Sequence, residues 1–89
     1  MVTVEQGKTA LRITNDQLDS EVQLQLDAAL LDLGTAGVRG RYDALTDTAV
    51  ELYLKWRFDF LGKGEQFGKA YQDLKNLLSL AGDYNGGGA

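Results

Sequence analysis

Cysteine, proline and histidine are all missing from this chain of 89 residues, and each absence removes a class of function. Without cysteine there is no disulfide framework and no thiolate metal site, and nothing calls for an oxidising compartment. Without histidine or cysteine, hydrolysis of the common kinds would have to pair Ser20 or Ser79 with a lysine or a carboxylate. Neither serine has such a neighbour pattern, and both read as helix-surface residues. Cations are scarce as well. Nine Lys and Arg stand against 13 Asp and Glu, a net charge of -4, so affinity from neutralising phosphates is excluded. No apolar run approaches the roughly 20 residues that span a bilayer, and the first residues lack the basic and apolar regions of a signal peptide. The reading is a cytosolic chain with no membrane partner, no cofactor and no metal. Gly62-Lys63-Gly64 lacks the context of a phosphate loop, and the pairs Asp43/Asp47 and Asp16/Asp19 are spaced as caps and helix-start charges rather than as calcium ligands.

What is present is helical periodicity. With no proline, the glycines near 34–40, 62–64 and 86–88 divide the chain, and apolar residues recur at helical spacing between them. The spacing predicts an all-α fold, a small bundle of about four helices. It has an exposed Gly/Arg loop between helices two and three and a flexible C-terminal tail. Residues 1–85 form one domain and 86–89 a Gly-rich tail.

The first helix runs from about Val4 to Arg12, with Thr3 and Gln6 as a capping box and Gly7 weakening it. The second begins at Asn15, capped by Thr14 with Gln17 three residues on, Ile13 stapling onto Leu18, and Asp16, Asp19 and Glu21 complementing the helix dipole. Its face of Leu18, Val22, Leu26, Ala29, Leu30 and Leu33 builds the core, and Gly34 ends it in a left-handed turn. The third, about Thr46 to Leu61, has a main face of Leu45, Ala49, Leu52, Tyr53, Trp56 and Phe60, with Val50, Leu54 and Leu61 adjoining, so it must be covered on most sides. The fourth, about Glu65 to Ala81, repeats Phe67, Ala70, Tyr71, Leu74, Leu77, Leu78 and Ala81, and Gly82 closes it. Tyr53, Trp56 and Tyr71 fall on core faces, which leaves Tyr42 and Tyr84 as exposed contact residues.

Hydrophobicity is in surplus on the second helix. Leu24, Ala28 and Leu31 project opposite its core face, so either other helices of the chain cover them or another subunit does.

The stretch from Val4-Glu5 through Ala10-Leu11-Arg12-Ile13-Thr14, the helix with Leu26-Asp27-Ala28-Ala29, and the later Ala36-Gly37-Val38 resemble head-to-tail connector (adaptor) proteins of long-tailed bacteriophages. The second half continues the resemblance through Ala49-Val50-Glu51-Leu52-Tyr53, Trp56-Arg57-Phe58, Phe67-Gly68-Lys69-Ala70-Tyr71, Leu74-Lys75 and Asp83-Tyr84-Asn85. It covers nearly the whole chain; Gly7 and the Gly-rich tail depart from it. It implies a non-enzymatic virion subunit at the capsid-tail junction, assembled from the bacterial host cytoplasm. Such a subunit forms a high-order ring, expected to be dodecameric, under the portal protein, extends the DNA channel and presents a platform to the stopper or tail-completion protein. DNA would pass through without specific binding, as an acidic lining favours. Carried onto this chain, Leu24, Ala28 and Leu31 become subunit-interface candidates. Arg39, Arg41 and Tyr42 become channel or partner-loop candidates, and Leu80, Asp83, Tyr84 and Asn85 portal-contact candidates. The alternative is a small acidic helical regulator or antitoxin-like protein-binding module that uses the same stripe.

Overall fold

The computed structural model describes residues 1–38, 42–82 and 84. Among them are four α-helices and no strand: α1 Val4–Leu11, α2 Asp19–Thr35, α3 Ala44–Arg57 and α4 Gly64–Leu80, with a short 3-10 turn at Phe60–Gly62 before α4. The expected small helical bundle is the observed architecture.

α1 forms as its sequence dictates. The Gln6 N–H donates to Thr3 Oγ1 at 3.1 Å while the Thr3 N–H donates to Gln6 Oε1 at 3.0 Å, closing both halves of the capping box. Gly7 has a packing reason. A Cβ there would lie 3.0 Å from Leu54 Cδ1 and 3.2 Å from Val22 Cγ1, so its absence lets α1 settle directly on α2 and α3. Left-handed Arg12 (φ 58°) then ends the helix, with the Ile13 N–H donating to the Lys8 carbonyl at 2.9 Å.

The start of α2 is not where the capping box at Thr14 and Gln17 puts it. The helix begins at Asp19, its N-cap Leu18 makes no side-chain cap, and Asn15 instead accepts from the Gln17 N–H at 3.0 Å in a local turn. The cause is Lys8, whose side chain is almost wholly buried and whose ammonium lies 2.8 Å from both Asp16 and Asp19. An unpaired buried cation costs far more than the roughly 0.5–2 kcal/mol of an N-cap, so the chain between α1 and α2 is bent to bring the two carboxylates to the lysine. Leu18 is consequently exposed and does not join the core face.

The far end of α2 also differs. Gly34 lies inside the helix, and the left-handed residue is Gly37 (φ 93°), one turn later. Val38 N–H donates to Leu33 O at 2.8 Å and Gly37 N–H to Gly34 O at 3.0 Å, the paired bonds of a Schellman end. Val38 is fully buried, so the expected exposed loop is pinned at this side; Arg39, Gly40 and Arg41 lie outside the described residues.

α3 runs through the centre, in contact with α1, α2 and α4. Its N-cap is Asp43, which accepts from the Leu45 N–H at 2.9 Å, while buried Thr46 accepts from the Asp43 N–H at 2.6 Å and donates to its carbonyl at 2.9 Å. The most buried line is Thr46, Ala49, Val50 and Leu54, rotated from the expected face. Leu45 and Leu61 are exposed, whereas Leu52, Tyr53, Trp56 and Phe60 pack partly against the core. At the α3–α4 crossing a Cβ on Gly68 would sit 2.9 Å from the Trp56 ring, which is how the two helices approach so closely. Asp59, itself left-handed, accepts from the Gly64 N–H at 2.8 Å and so caps the first turn of α4. α4 stops at Leu80 with extended Ala81 as its C-cap, rather than in a left-handed turn at Gly82. Leu77, expected on its core face, is exposed.

Candidate functional site

The apolar stripe on α2 faces solvent. Relative to the buried line Val22, Leu26, Ala29 and Leu33, the positions 24, 28 and 31 fall on the opposite side of the helix at 100° per residue. Leu24 is 59% and Leu31 73% exposed, with Ala28 partly covered between them. Of the two explanations left open by the sequence, cover by neighbouring helices is therefore set aside.

A second apolar patch sits at the end of α4, where Leu77 and Leu80 are 67% and 83% exposed. They too lie opposite their helix's buried line, Gly64, Gly68, Tyr71 and Leu78. The two patches lie on different helices, α2 and α4, each of which packs on α3. Periodicity had placed Leu77 in the core, and the short span of α4 over which both i and i+3 are leucine hid this second patch.

Tyr84, expected as an exposed contact residue, is half-buried. It packs on the core and its hydroxyl donates to Asp43 Oδ2 at 2.8 Å, which ties the segment after α4 to the start of α3. Tyr42 is exposed. Arg39, Arg41, Asp83 and Asn85, and the tail at 86–89, lie outside the described residues.

Two polar clusters were missed in the sequence. In one, the Lys8 ammonium is held by hydrogen bonds and charge from Asp16 and Asp19, which keep it protonated well above the usual lysine range, while its bond to Asp16 holds that carboxyl below its ordinary value. The available signal was Lys8 itself, one turn from Leu11 and Val4 on the buried side of α1. In the other, the hydroxyl of fully buried Tyr71 donates to Asp32 Oδ2 at 2.5 Å and Lys75 Nζ donates to the same oxygen at 3.0 Å, joining α2 to α4. Burial pushes the Asp32 carboxyl up, but the bonds from Tyr71 and Lys75 and the lysine charge outweigh it and leave it lowered; burial and the Asp32 bond both push the Tyr71 phenol up. Asp32 beside Leu33 was its signal.

These clusters have the chemistry of structural ties. Each carboxylate is occupied by a cation or a hydroxyl, and no group of three or more His, Cys, Asp or Glu among the described residues is placed to hold a metal ion. No helix among them is long and apolar enough to cross a membrane.

They do fix a pH dependence. Asp16 and Asp32 have lowered folded values, so their contribution is present above the unfolded carboxylate value near 3.9 and is lost as pH falls through the folded ones. Lys8 and Tyr71 have raised folded values, so theirs is present below about 10 and is lost as pH rises through the folded ones. Thermal melts followed by circular dichroism should give a nearly constant Tm from about pH 5 to 9 and a fall on the acid side that Asp32→Asn makes shallower. A step of several degrees near pH 6 to 7 would contradict this assignment, as the chain has no histidine to produce it.

No known protein family, curated protein or solved structure matches the chain.

Proposed function

We propose that this protein is a head-to-tail connector (adaptor) subunit of a long-tailed bacteriophage, a non-enzymatic virion component that forms a ring under the portal and carries the stopper or tail. The observation that carries the reading is the pair of exposed apolar patches, Leu24 with Leu31 on α2 and Leu77 with Leu80 on α4, on two different helices of one small bundle. A ring needs two unlike surfaces per subunit that meet head to tail and close by rotation. A twofold dimer needs only one self-complementary surface. The net charge of -4 suits a subunit beside a DNA channel that must not retain the DNA. The resemblance noted along most of the sequence supplies the biological setting: portal above, stopper or tail-completion protein below, assembly in the host cytoplasm.

Mass by light scattering and binding to DNA-filled, tailless heads test the reading together. The isolated chain is expected as a monomer or a weak, concentration-dependent oligomer, and as a many-copy complement on heads that display the portal. A tight twofold dimer that ignores such heads would instead indicate the regulator-like protein-binding module.

A further inference from the structure

The patch on α4 is too short for the stripe on α2. Leu24 and Leu31 stand seven residues apart, about 10 Å along their helix, whereas Leu77 and Leu80 span about 4.5 Å. A stable contact buries roughly 800 Å² on each partner, and two leucines supply a small part of that. More apolar surface beside the end of α4 is therefore required, and the start of α3 carries it: Leu45, in the first turn, and Tyr42, just ahead of the Asp43 cap, are both exposed.

Three pairs fix how α3 and α4 lie together. Gly68 sits against the Trp56 ring, Tyr71 meets Tyr53 edge-on with ring centroids 5.1 Å apart, and the Tyr84 hydroxyl donates to Asp43 Oδ2 at 2.8 Å. Three residues forward on α4 thus match three residues back on α3, so the helices are antiparallel. Eight residues further along each, Leu45 comes level with Ser79, between Leu78 and Leu80. At 100° per residue Leu45 also shares the side of α3 that carries Trp56, which is the side that meets α4.

We infer that Tyr42 and Leu45 of α3 join Leu77 and Leu80 of α4 in one composite apolar surface, and that its occupant is the Leu24–Leu31 stripe of a second copy of this chain. The inference rests on the ring reading and names the surface that receives the stripe. The composite has the length that the α4 patch lacks, and because it differs from the stripe it bites, each subunit offers two unlike faces that join head to tail. The Tyr84 bond to Asp43 holds the α3 and α4 parts of it together.

The test uses the full chain with paired cysteines and a short bis-maleimide, which captures weak encounters at the highest soluble concentration. Leu31→Cys with Leu45→Cys should give a ladder of linked subunits, as should Leu31→Cys with Leu80→Cys. Leu31→Cys with Leu61→Cys is the control, since Leu61 is equally exposed but lies beyond the other end of α3, and its yield should be lower by about tenfold or more. Circular dichroism melts of each variant should stay within a few degrees of the parent. A ladder with Leu80→Cys but none above control with Leu45→Cys would confine the contact to α4, overturning the inference and leaving the ring reading intact. No ladder from either pair would overturn both. A Leu45→Cys variant that melts far below the parent would place Leu45 in the core and overturn the inference alone.

Discussion

Tyr71→Ala should destabilise the chain severely, by about 3–5 kcal/mol. Tyr71 is the largest fully buried side chain among the described residues, its ring lies 5.1 Å from Tyr53 edge-on and 6.1 Å from Trp56 in a stacked pair, and its hydroxyl joins Lys75 in tying Asp32 of α2 to α4. Truncating a buried aromatic costs about 3–5 kcal/mol, and a domain of this size has about 5–13 kcal/mol in all. At about 4–8 °C per kcal/mol, Tm should fall by about 12–40 °C. Tyr71→Phe separates the two contributions. It keeps the rings in place, and since Asp32 retains Lys75 and is partly solvated, the loss should be about 0.5–1.5 kcal/mol. Denaturant melts of both variants decide the matter, and a Phe variant as damaged as the Ala one would mean that the hydroxyl tie, and not ring packing, holds α4.

The second large effect is on assembly and leaves the fold alone. Leu24→Gln combined with Leu31→Gln removes the outward stripe of α2 with little change in helix propensity. Since both side chains are mostly exposed in the isolated subunit, the double variant should keep its helical signal and melt within a few degrees of the parent. Attachment to portal-bearing heads should nonetheless be lost. Each leucine removed would subtract about 1.5–3 kcal/mol of burial at every subunit contact, and the loss repeats around a closed ring. Unfolding of the double variant, or undiminished attachment, would remove the stripe from the account.

What the sequence reveals and hides follows from the range of the forces involved. The start of α1 and the opposed faces of α2 are local facts, set by a capping box and by 100° per residue, and they are legible at Thr3, Gln6, Leu24 and Leu31. The start of α2 is decided by a long-range demand, the pairing of buried Lys8, which overrides an equally good local signal at Thr14 and Gln17. The end of α2 offered two glycines one turn apart, and the burial of Val38 favours Gly37 over Gly34. On α3 almost every side carries apolar residues, so periodicity could not say which line is innermost. The answer depends on α1, α2 and α4 packing around it, with α4 drawn close by Gly68 against Trp56. The candidate site divides the same way: the α2 stripe was legible, and the α4 patch was not, because Leu77 shares a periodic run with buried Tyr71 and Leu78.

The chain's lack of cysteine permits a direct test of head-to-tail association. Leu31→Cys and Leu80→Cys, each made alone and then together, place thiols on the two outward patches, and oxidation at the highest soluble concentration, or on heads, captures whichever surfaces meet. The account predicts little cross-linking from either single variant and a ladder from the double variant that rises in steps of one subunit and stops at a closed ring. A single dimer band from Leu31→Cys alone, with nothing larger from the double variant, would show a twofold contact and contradict it.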